Sequence, residues 1–355
     1  MSIKKSFNKS YIFVCIALGL GTVGSASHAA LTIVEPNKTG TAKIQWGTAG
    51  GLSEARNIMY ANQGSTISRN HTNNYNSSYN SSSYNSTPSF ASSSNHAGYY
   101  DTLPISTASR GVLVMDVETG RPLYQKNADV ARPIASITKL MTAMVVLDAG
   151  LDMREEIKLD PEDFVGPKRA SSRLKSGDRL NRAELLLMTL MKSENPAAKS
   201  LARNYPGGYD AFMRAMNQKA HSLGMSSAFF GDPTGLDKRN VASPIDLVKM
   251  VQAAGQYEVI RRFSTTKSYD FFVANYAAGN RNYPANNTSV LVRNGTYPIG
   301  ISKTGFINEA GRCVVMETQV NNRPAIIVIL GANSSSTRWN DAETILTNLA
   351  SRRSI

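Results

Sequence analysis

The pattern of hydrophobic and polar positions changes near Pro104, and from there the chain has the character of one large domain of roughly 250 residues. Two apolar runs, "GVLVMDV" and "PLYQKN", are joined by "ETGR" and predict a β-hairpin. The following stretch "IASITKLMTAMVVLDAG" is apolar nearly all round and ends on glycine. That profile predicts a helix buried inside the domain.

Further helices are predicted by their start signals. Asn181 and Glu184 form a capping pair ahead of "RAELLLMTLMK", and a proline follows both Asn195 and Ser243 at the first helical position. Near the C-terminus the runs "GISKTGF", "RCVVMETQV" and "PAIIVILGA" predict strands, and "NDAETILTNLASR" predicts a last helix. The order of these elements predicts an α+β fold whose single sheet combines strands from both ends of the domain.

The first 29 residues have the pattern of a secretory signal peptide. Lys4, Lys5 and Lys9 precede the apolar core "YIFVCIALGLG", and "SASHAA" offers a cleavage point after Ala29. The core is too short for a membrane span, which needs about 20 apolar residues. We therefore expect an exported chain with no stable membrane anchor.

Residues 30–100 contain the tract "NHTNNYNSSYNSSSYNSTPSFASSSNH", which has few aliphatic side chains to bury. Such a composition does not offset the entropy lost on folding, so we expect a disordered segment or spacer. The predicted domains are thus a signal peptide at 1–29, this low-complexity segment at 30–100 and a catalytic domain at 101–355.

Composition argues against several classes of function. Removal of the signal would leave Cys313 as the last cysteine, and His221 is the one histidine in the predicted domain, so neither a disulfide nor a metal site is expected. His221 comes near the end of the helical pattern "YDAFMRAMNQKAHSLGM", where an exposed position is favoured over a catalytic triad. The net charge of +13 comes from scattered basic residues, so we expect no nucleic-acid partner, and an anionic cell wall is compatible with it.

Ser136 and Lys139 are the candidate nucleophile and base. Ser136 is predicted to begin the buried helix, and the three-residue step places Lys139 on the same face one turn later. Burial lowers a lysine pKa, the charge of Lys303 should lower it further, and a neutral amine can take the hydroxyl proton. Other Ser-x-x-Lys pairs, such as those that begin at Ser172 and Ser264, lie in polar runs without this setting.

A second triplet, "SEN", is predicted at a turn between two helices. Its hydroxyl, on Ser193, can relay a proton, and its amide, on Asn195, can point at a substrate carbonyl. Asn195 can equally serve as a helix N-cap, and the two roles do not exclude each other.

A third triplet, "KTG" at 303–305, lies on a predicted apolar strand. Gly305 permits the close approach of a substrate backbone, and Lys303 offers a fixed cation to a carboxylate. The same triplet at 38–40 has no strand pattern around it, and we regard it as a chance occurrence.

Ser-x-x-Lys, Ser-x-Asn and Lys-Thr-Gly in this order are typical of penicillin-binding proteins and class A β-lactamases. From about Pro104 to Arg353 the chain resembles the D-alanyl-D-alanine peptidases among the low-molecular-mass penicillin-binding proteins, and within them the DD-endopeptidase branch. The resemblance is carried by "RPIASITKLMTAMVVLDA", "LLLMTLMKSEN", "YPGGYDAFMRAMN", "PTGL" and "SKTGFINEAGRCVVM". It implies a β-lactamase-like fold, in which an antiparallel sheet is packed with helices and flanked by a helical region that carries "SEN".

The resemblance also implies roles for individual residues. Ser136 would attack the scissile carbonyl and form an acyl-enzyme, with Lys139 as its base. Ser193 would pass the proton to the leaving amine, in a local field shaped by Lys303.

Substrate binding is implied in the same way. The backbone N–H groups of Ser136 and Phe306 would form the oxyanion hole, which is typically a large contribution to such reactions. Lys303 and Thr304, next to Gly305, would hold the carboxylate beside the scissile bond. The resemblance implies no cofactor. It implies peptidoglycan cross-links as substrate, β-lactams as covalent inhibitors and a periplasmic location.

Three alternatives compete with a DD-endopeptidase. A class A β-lactamase needs a Glu-x-x-Leu/x-Asn element after Ser193; "EVIR", "EAGR" and "ETIL" are not followed by asparagine, and "ETQV", which Asn321 follows, lies on the predicted strand "RCVVMETQV". DD-carboxypeptidases of this group often carry a second β-rich domain and an amphipathic C-terminal anchor, for which "LASRRSI" is too short. The third alternative is a non-catalytic wall-binding or β-lactam-sensing protein. Sensors usually have a membrane-spanning region and loss of catalysis usually shows as a broken triplet, whereas all three triplets are intact here. We therefore expect an endopeptidase and retain carboxypeptidase activity as the nearest alternative.

Overall fold

The structure is a computed structural model that describes residues 102–321 and 323–351. The predicted signal peptide and the Asn/Ser/Tyr-rich segment lie outside the described residues. The strands in the described part are β1 (Gly111–Asp116), β2 (Pro122–Lys126), β3 (Arg132–Pro133), β4 (Glu156–Lys158), β5 (Arg179–Asn181), β6 (Val241–Ala242), β7 (Ser268–Val273), β8 (Arg281–Asn286), β9 (Ile299–Ile307), β10 (Gly311–Val320) and β11 (Arg323–Ala332).

The α-helices in the same residues are α1 (Lys139–Asp148), α2 (Arg182–Leu187), α3 (Asn195–Arg203), α4 (Gly208–Ser222), α5 (Pro244–Ala254), α6 (Glu258–Thr265), α7 (Val290–Asn294) and α8 (Ser335–Ser351). Single 3-10 turns occupy Ala135–Thr138 and Pro161–Phe164, and a π-helical turn spans Met188–Lys192. None of these helices is long and apolar enough to cross a membrane.

One five-stranded antiparallel sheet forms the centre of the domain, in the order β2-β1-β11-β10-β9. The predicted hairpin supplies β1 and β2, and the three predicted C-terminal strands supply the rest. The prediction of an α+β fold with a sheet drawn from both ends of the domain is therefore confirmed.

Helices cover both faces of this sheet. Val112 and Val114 of β1 belong to a buried cluster with Ile345 of α8, whereas Leu113 belongs to a second cluster with Leu140 of α1. Successive side chains of a strand point to opposite faces of the sheet. A strand in a sheet with helices on both faces therefore needs apolar residues at every position. This explains why the central strands are nearly continuous apolar runs in the sequence.

The predicted buried helix is α1, whose residues 139–146 are all buried. It begins one turn later than the pattern suggested, because Ala135–Thr138 forms a 3-10 turn. Ser136 therefore lies just before the α-helix and does not begin it.

Two predicted helix starts have the expected caps, and a third does not. Asn181 with Glu184 and Ser243 with Asp246 form reciprocal capping boxes. At α3 the N-cap residue is Glu194, which makes no side-chain capping bond. The interpretation of Asn195 as an N-cap is therefore wrong.

The structure also contains elements that the pattern did not reveal. The β7–β8 hairpin was missed, because β8 reads "RNYPAN" and half of its positions are exposed. The last helix begins at Ser335, five residues before the predicted run. His221 lies exposed in the last turn of α4, as predicted.

Candidate active site

The three predicted triplets meet beside the edge strand β9. Lys139 Nζ lies 3.0 Å from Ser136 Oγ and 2.7 Å from Asn195 Oδ1, while Lys303 Nζ lies 2.9 Å from Ser193 Oγ. These contacts join residues that are up to 110 positions apart in the chain. The fold thus brings the predicted nucleophile and base into one hydrogen-bonded group and the predicted relay, Ser193, into a second one with Lys303.

Lys139 is enclosed completely, and its ammonium donates to three oxygens. The third acceptor is the carbonyl of Thr234, at 2.6 Å. Burial lowers the pKa of Lys139 from 10.5 to about 7, while the charges of Asp232 and Glu194 oppose that fall. An amine with this pKa, at hydrogen-bond distance from a hydroxyl, can accept the hydroxyl proton near neutral pH.

Lys303 is the second buried lysine of the site, and its Nζ also donates to the Thr304 carbonyl at 3.0 Å. Burial, followed by the charges of Lys139 and Arg338, holds the pKa of Lys303 well below 10.5. The predicted lowering of the Lys139 pKa by Lys303 is not found.

Two glycines pack directly against the peptide bond that precedes the nucleophile. A Cβ on Gly235 would lie 2.0 Å from the carbonyl oxygen of Ala135, and a Cβ on Gly305 would lie 3.0 Å from the amide nitrogen of Ser136. Ala135 itself has φ of +49°, a left-handed conformation that is unusual for a residue with a side chain. The backbone around Ser136 is therefore fixed by close packing in a strained form, as is typical of functional sites.

The Ser193–Asn195 turn also contains a residue with strained backbone. Ser193 ends the π-helical turn with φ of +66°, and α3 begins two residues later. The side chain of Asn195 is not used for capping and instead accepts the hydrogen bond from Lys139. The turn therefore presents a hydroxyl to one buried lysine and an amide to the other.

Strand β9 places the remaining predicted residues along the outer edge of the sheet. Thr304 donates to Thr288 Oγ1 at 2.7 Å, and the side chain of Phe306 is exposed beneath the guanidinium of Arg312. Because β9 is last in the sheet order, its second edge is not paired with a strand among the described residues. A free edge of this kind can accept an extended peptide.

The loop at 231–240 is the part of the site that the sequence did not reveal. The carbonyl of Thr234 accepts from Lys139, and Asp232 Oδ1 accepts from the amide of Gly235 at 2.8 Å. Asn240 Oδ1 holds the amides of Gly231 and Asp232. The stretch "PTGL" marked this loop, but a backbone carbonyl leaves no signature in the residue types.

The candidate site contains no metal-binding arrangement. In residues 102–321 and 323–351, no cluster of three or more His, Cys, Asp or Glu side chains could hold a metal ion. Cys313 is a buried free cysteine on β10. The side chains that the structure brings together at the site are two serine hydroxyls, two buried lysines and one asparagine amide.

Several known proteins resemble this chain in sequence. The family model described as D-alanyl-D-alanine carboxypeptidase, peptidase S11, matches residues 99–334. The D-alanyl-D-alanine endopeptidase of Pseudomonas aeruginosa is 45% identical over 237 residues, which cover 66% of this chain and 75% of that protein. The D-alanyl-D-alanine endopeptidase of Escherichia coli is 43% identical over 240 residues, which cover 68% and 76%.

Solved structures show the same fold. The Streptomyces K15 DD-transpeptidase superposes with a TM-score of 0.64 at 27% identity and covers 69% of this chain and 98% of its own. Penicillin-binding protein D2 from Listeria monocytogenes, in its cefotaxime-bound form, gives a TM-score of 0.60 at 26% identity, covering 70% and 99%. The predicted β-lactamase-like fold is confirmed, and the chain belongs to the peptidase S11 family of serine D-alanyl-D-alanine peptidases.

Proposed function

We propose that this protein is a DD-endopeptidase that cuts the D-alanyl cross-links of peptidoglycan through an acyl-enzyme on Ser136. The observation that carries the proposal is the 3.0 Å contact between Ser136 Oγ and the buried amine of Lys139. Neutral Lys139 takes the hydroxyl proton while the oxygen attacks the carbonyl of D-alanine. The new C–O bond forms as negative charge moves to the carbonyl oxygen.

The oxyanion is stabilised by the backbone N–H groups of Ser136 and Phe306. Gly305 supports this assignment, since a Cβ at this position would lie only 3.0 Å from the Ser136 amide nitrogen, so the strand that carries Phe306 runs close to the nucleophile. Preorganised amide donors of this kind are typically worth about 10²–10³ in rate each.

When the tetrahedral intermediate collapses and its C–N bond breaks, Ser193 relays the proton taken up by Lys139 to the leaving amine. The support is the 2.9 Å hydrogen bond from Lys303 to Ser193, which links the relay hydroxyl to a second amine. Asn195 points its amide at a substrate carbonyl, while Lys303 and Thr304 hold the carboxylate beside the scissile bond. Water then hydrolyses the ester and regenerates Ser136.

Relatives favour endopeptidase over carboxypeptidase activity. Three relatives named D-alanyl-D-alanine endopeptidase, from P. aeruginosa, E. coli and Haemophilus influenzae, are 45%, 43% and 32% identical. Those named carboxypeptidase are 26% to 30% identical. Export to the periplasm, through the signal peptide at 1–29, places such an enzyme beside its substrate. β-Lactams would acylate the same serine.

Two soluble substrates test the proposal. We expect the protein to convert a purified cross-linked muropeptide dimer to monomers, and a Ser136→Ala variant to leave the dimer intact. Release of D-alanine from a pentapeptide monomer, with the dimer untouched, would assign the protein as a carboxypeptidase instead.

A further inference from the structure

A buried carboxylate lies between the two polar residues of the Ser193–Asn195 turn and has no part in the reaction described above. The side chain is that of Glu194, which is 6% exposed. Its Oε2 accepts from Ser172 Oγ at 2.6 Å, and its Oε1 accepts from the hydroxyl of Tyr283. Burying a carboxylate is costly unless it is well hydrogen-bonded, so a specific benefit should accompany it.

The two hydroxyls that hold Glu194 are themselves fixed by the surrounding structure. Ser172 accepts from the amide of Leu174 at 3.0 Å, and the guanidinium of Arg173 lies 4.3 Å from the centre of the Tyr283 ring. Tyr283 is 1% exposed on β8, and burial raises its pKa, so its hydroxyl remains a donor. Glu194 is therefore anchored to two residues that lie outside the three triplets, Ser172 in a loop and Tyr283 on β8.

This anchor acts on a strained turn. Ser193 has φ of +66°, a left-handed conformation that is unusual for a residue with a side chain. The neighbours of Glu194 on either side contact Lys303 and Lys139 respectively. A fixed Glu194 holds the backbone between them and thereby the directions of the Ser193 hydroxyl and the Asn195 amide.

Glu194 also contributes charge. Asp232 and Glu194 are the acidic groups that raise the pKa of Lys139 against the effect of burial. Asp232 lies in the 231–240 loop, where its carboxylate accepts hydrogen bonds from the Thr234 hydroxyl and the Gly235 amide. Removal of the Glu194 charge would leave Asp232 as the remaining anion that acts on Lys139.

We propose that Glu194 is a positioning residue of the active site: held by Ser172 and Tyr283, its carboxylate fixes the Ser193–Asn195 turn and supplies negative charge beside Lys139. The inference rests on the proposed function, because it assigns the effect to acylation of Ser136 with Lys139 as base.

The two parts of the role are separated by two kinds of variant. Glu194→Gln keeps the shape and removes the charge, whereas Tyr283→Phe and Ser172→Ala keep the charge and each remove one hydrogen bond. The second-order rate of acylation by a fluorescent penicillin is measured for the full chain across about pH 5 to 9. A thermal melt of each variant identifies any protein that has not folded.

In Glu194→Gln the acid limb of the pH–rate profile should move to lower pH by about half a unit or more, because Lys139 loses its proton more readily. In Tyr283→Phe and Ser172→Ala the limb should stay in place and the plateau rate should fall about 3- to 10-fold. A purely structural Glu194 would lower the rate and leave the limb where it is.

The proposal is overturned if folded Glu194→Gln has the wild-type acid limb, or if both hydroxyl variants acylate at the wild-type plateau rate. A wild-type protein that forms no penicillin adduct would instead contradict the proposed function. The two failures are thus distinguishable in one set of measurements.

Discussion

At the scale of single residues, the assignment of Lys139 as base depends on its ability to lose a proton. Arginine matches lysine in charge and approximate length but does not deprotonate in proteins. We expect Lys139→Arg to fold and to lose acylation by about 10²–10⁴, the usual contribution of a positioned general base. Lys303→Arg, which retains a cation, should lose much less. Equal acylation of Lys139→Arg and wild type by one β-lactam would contradict the assignment.

The pH dependence of acylation gives a second residue-level prediction. Burial lowers the pKa of Lys139 to about 7, so the fraction of neutral amine increases as pH rises through that value. The acylation rate should therefore rise about tenfold per pH unit below pH 7 and level off above it. A rate that is independent of pH across this range would show that no group with this pKa supplies the base.

The sequence predicted some contacts of Lys139 in the candidate site and not others. The three-residue step from Ser136 to Lys139 fixes their proximity locally, and the structure places them in contact. The Thr234 carbonyl, 95 residues from Lys139, could not be found in this way. Such a contact depends on how distant segments pack, and every residue type has a carbonyl.

At the scale of elements, the loop that carries Gly235 must pack tightly against the turn before α1. A Cβ at Gly235 would lie 2.0 Å from the Ala135 carbonyl oxygen, and φ at this residue is +85°. Gly235→Ala should lower the free energy of unfolding by about 3 kcal/mol or more, since overpacking and strain add. It should also slow acylation, because the backbone at Ser136 must shift.

Gly120 is the matched control. It also has positive φ, at +65°, but a Cβ there would meet no atom within 4 Å. Gly120→Ala should cost only the backbone strain of about 1–2 kcal/mol and leave acylation unchanged. Equal loss of stability in the two variants, from chemical denaturation, would show that close packing at Gly235 is unimportant.

Elements with strong local signals were predicted well. The apolar runs of β10 and β11 and the capping boxes of α2 and α5 occur where the sequence placed them. The π-helical turn after α2 was not predicted, because it extends the same apolar pattern without a break. Such turns occur often at functional sites, and this one ends at Ser193.

At the scale of the whole molecule, the sequence predicts a segment with little to bury, at residues 30–100, followed by a domain that holds the candidate site. A chain that begins near residue 100 should keep the melting temperature of the full chain and its rate on soluble muropeptides, because an Asn/Ser/Tyr-rich segment adds little to a core. Calorimetry and muropeptide digestion check this. An unfolded or inactive shorter chain would show that the boundary is misplaced.

The central claim is that Ser136 forms the acyl-enzyme, and the site of a covalent β-lactam adduct tests it most directly. The protein is treated with a penicillin, digested, and its peptides are mapped by mass spectrometry. We expect one adduct, on the peptide that contains Ser136, and none in a folded Ser136→Ala variant. An adduct on Ser193 or any other residue, or persistent labelling of Ser136→Ala, would contradict it.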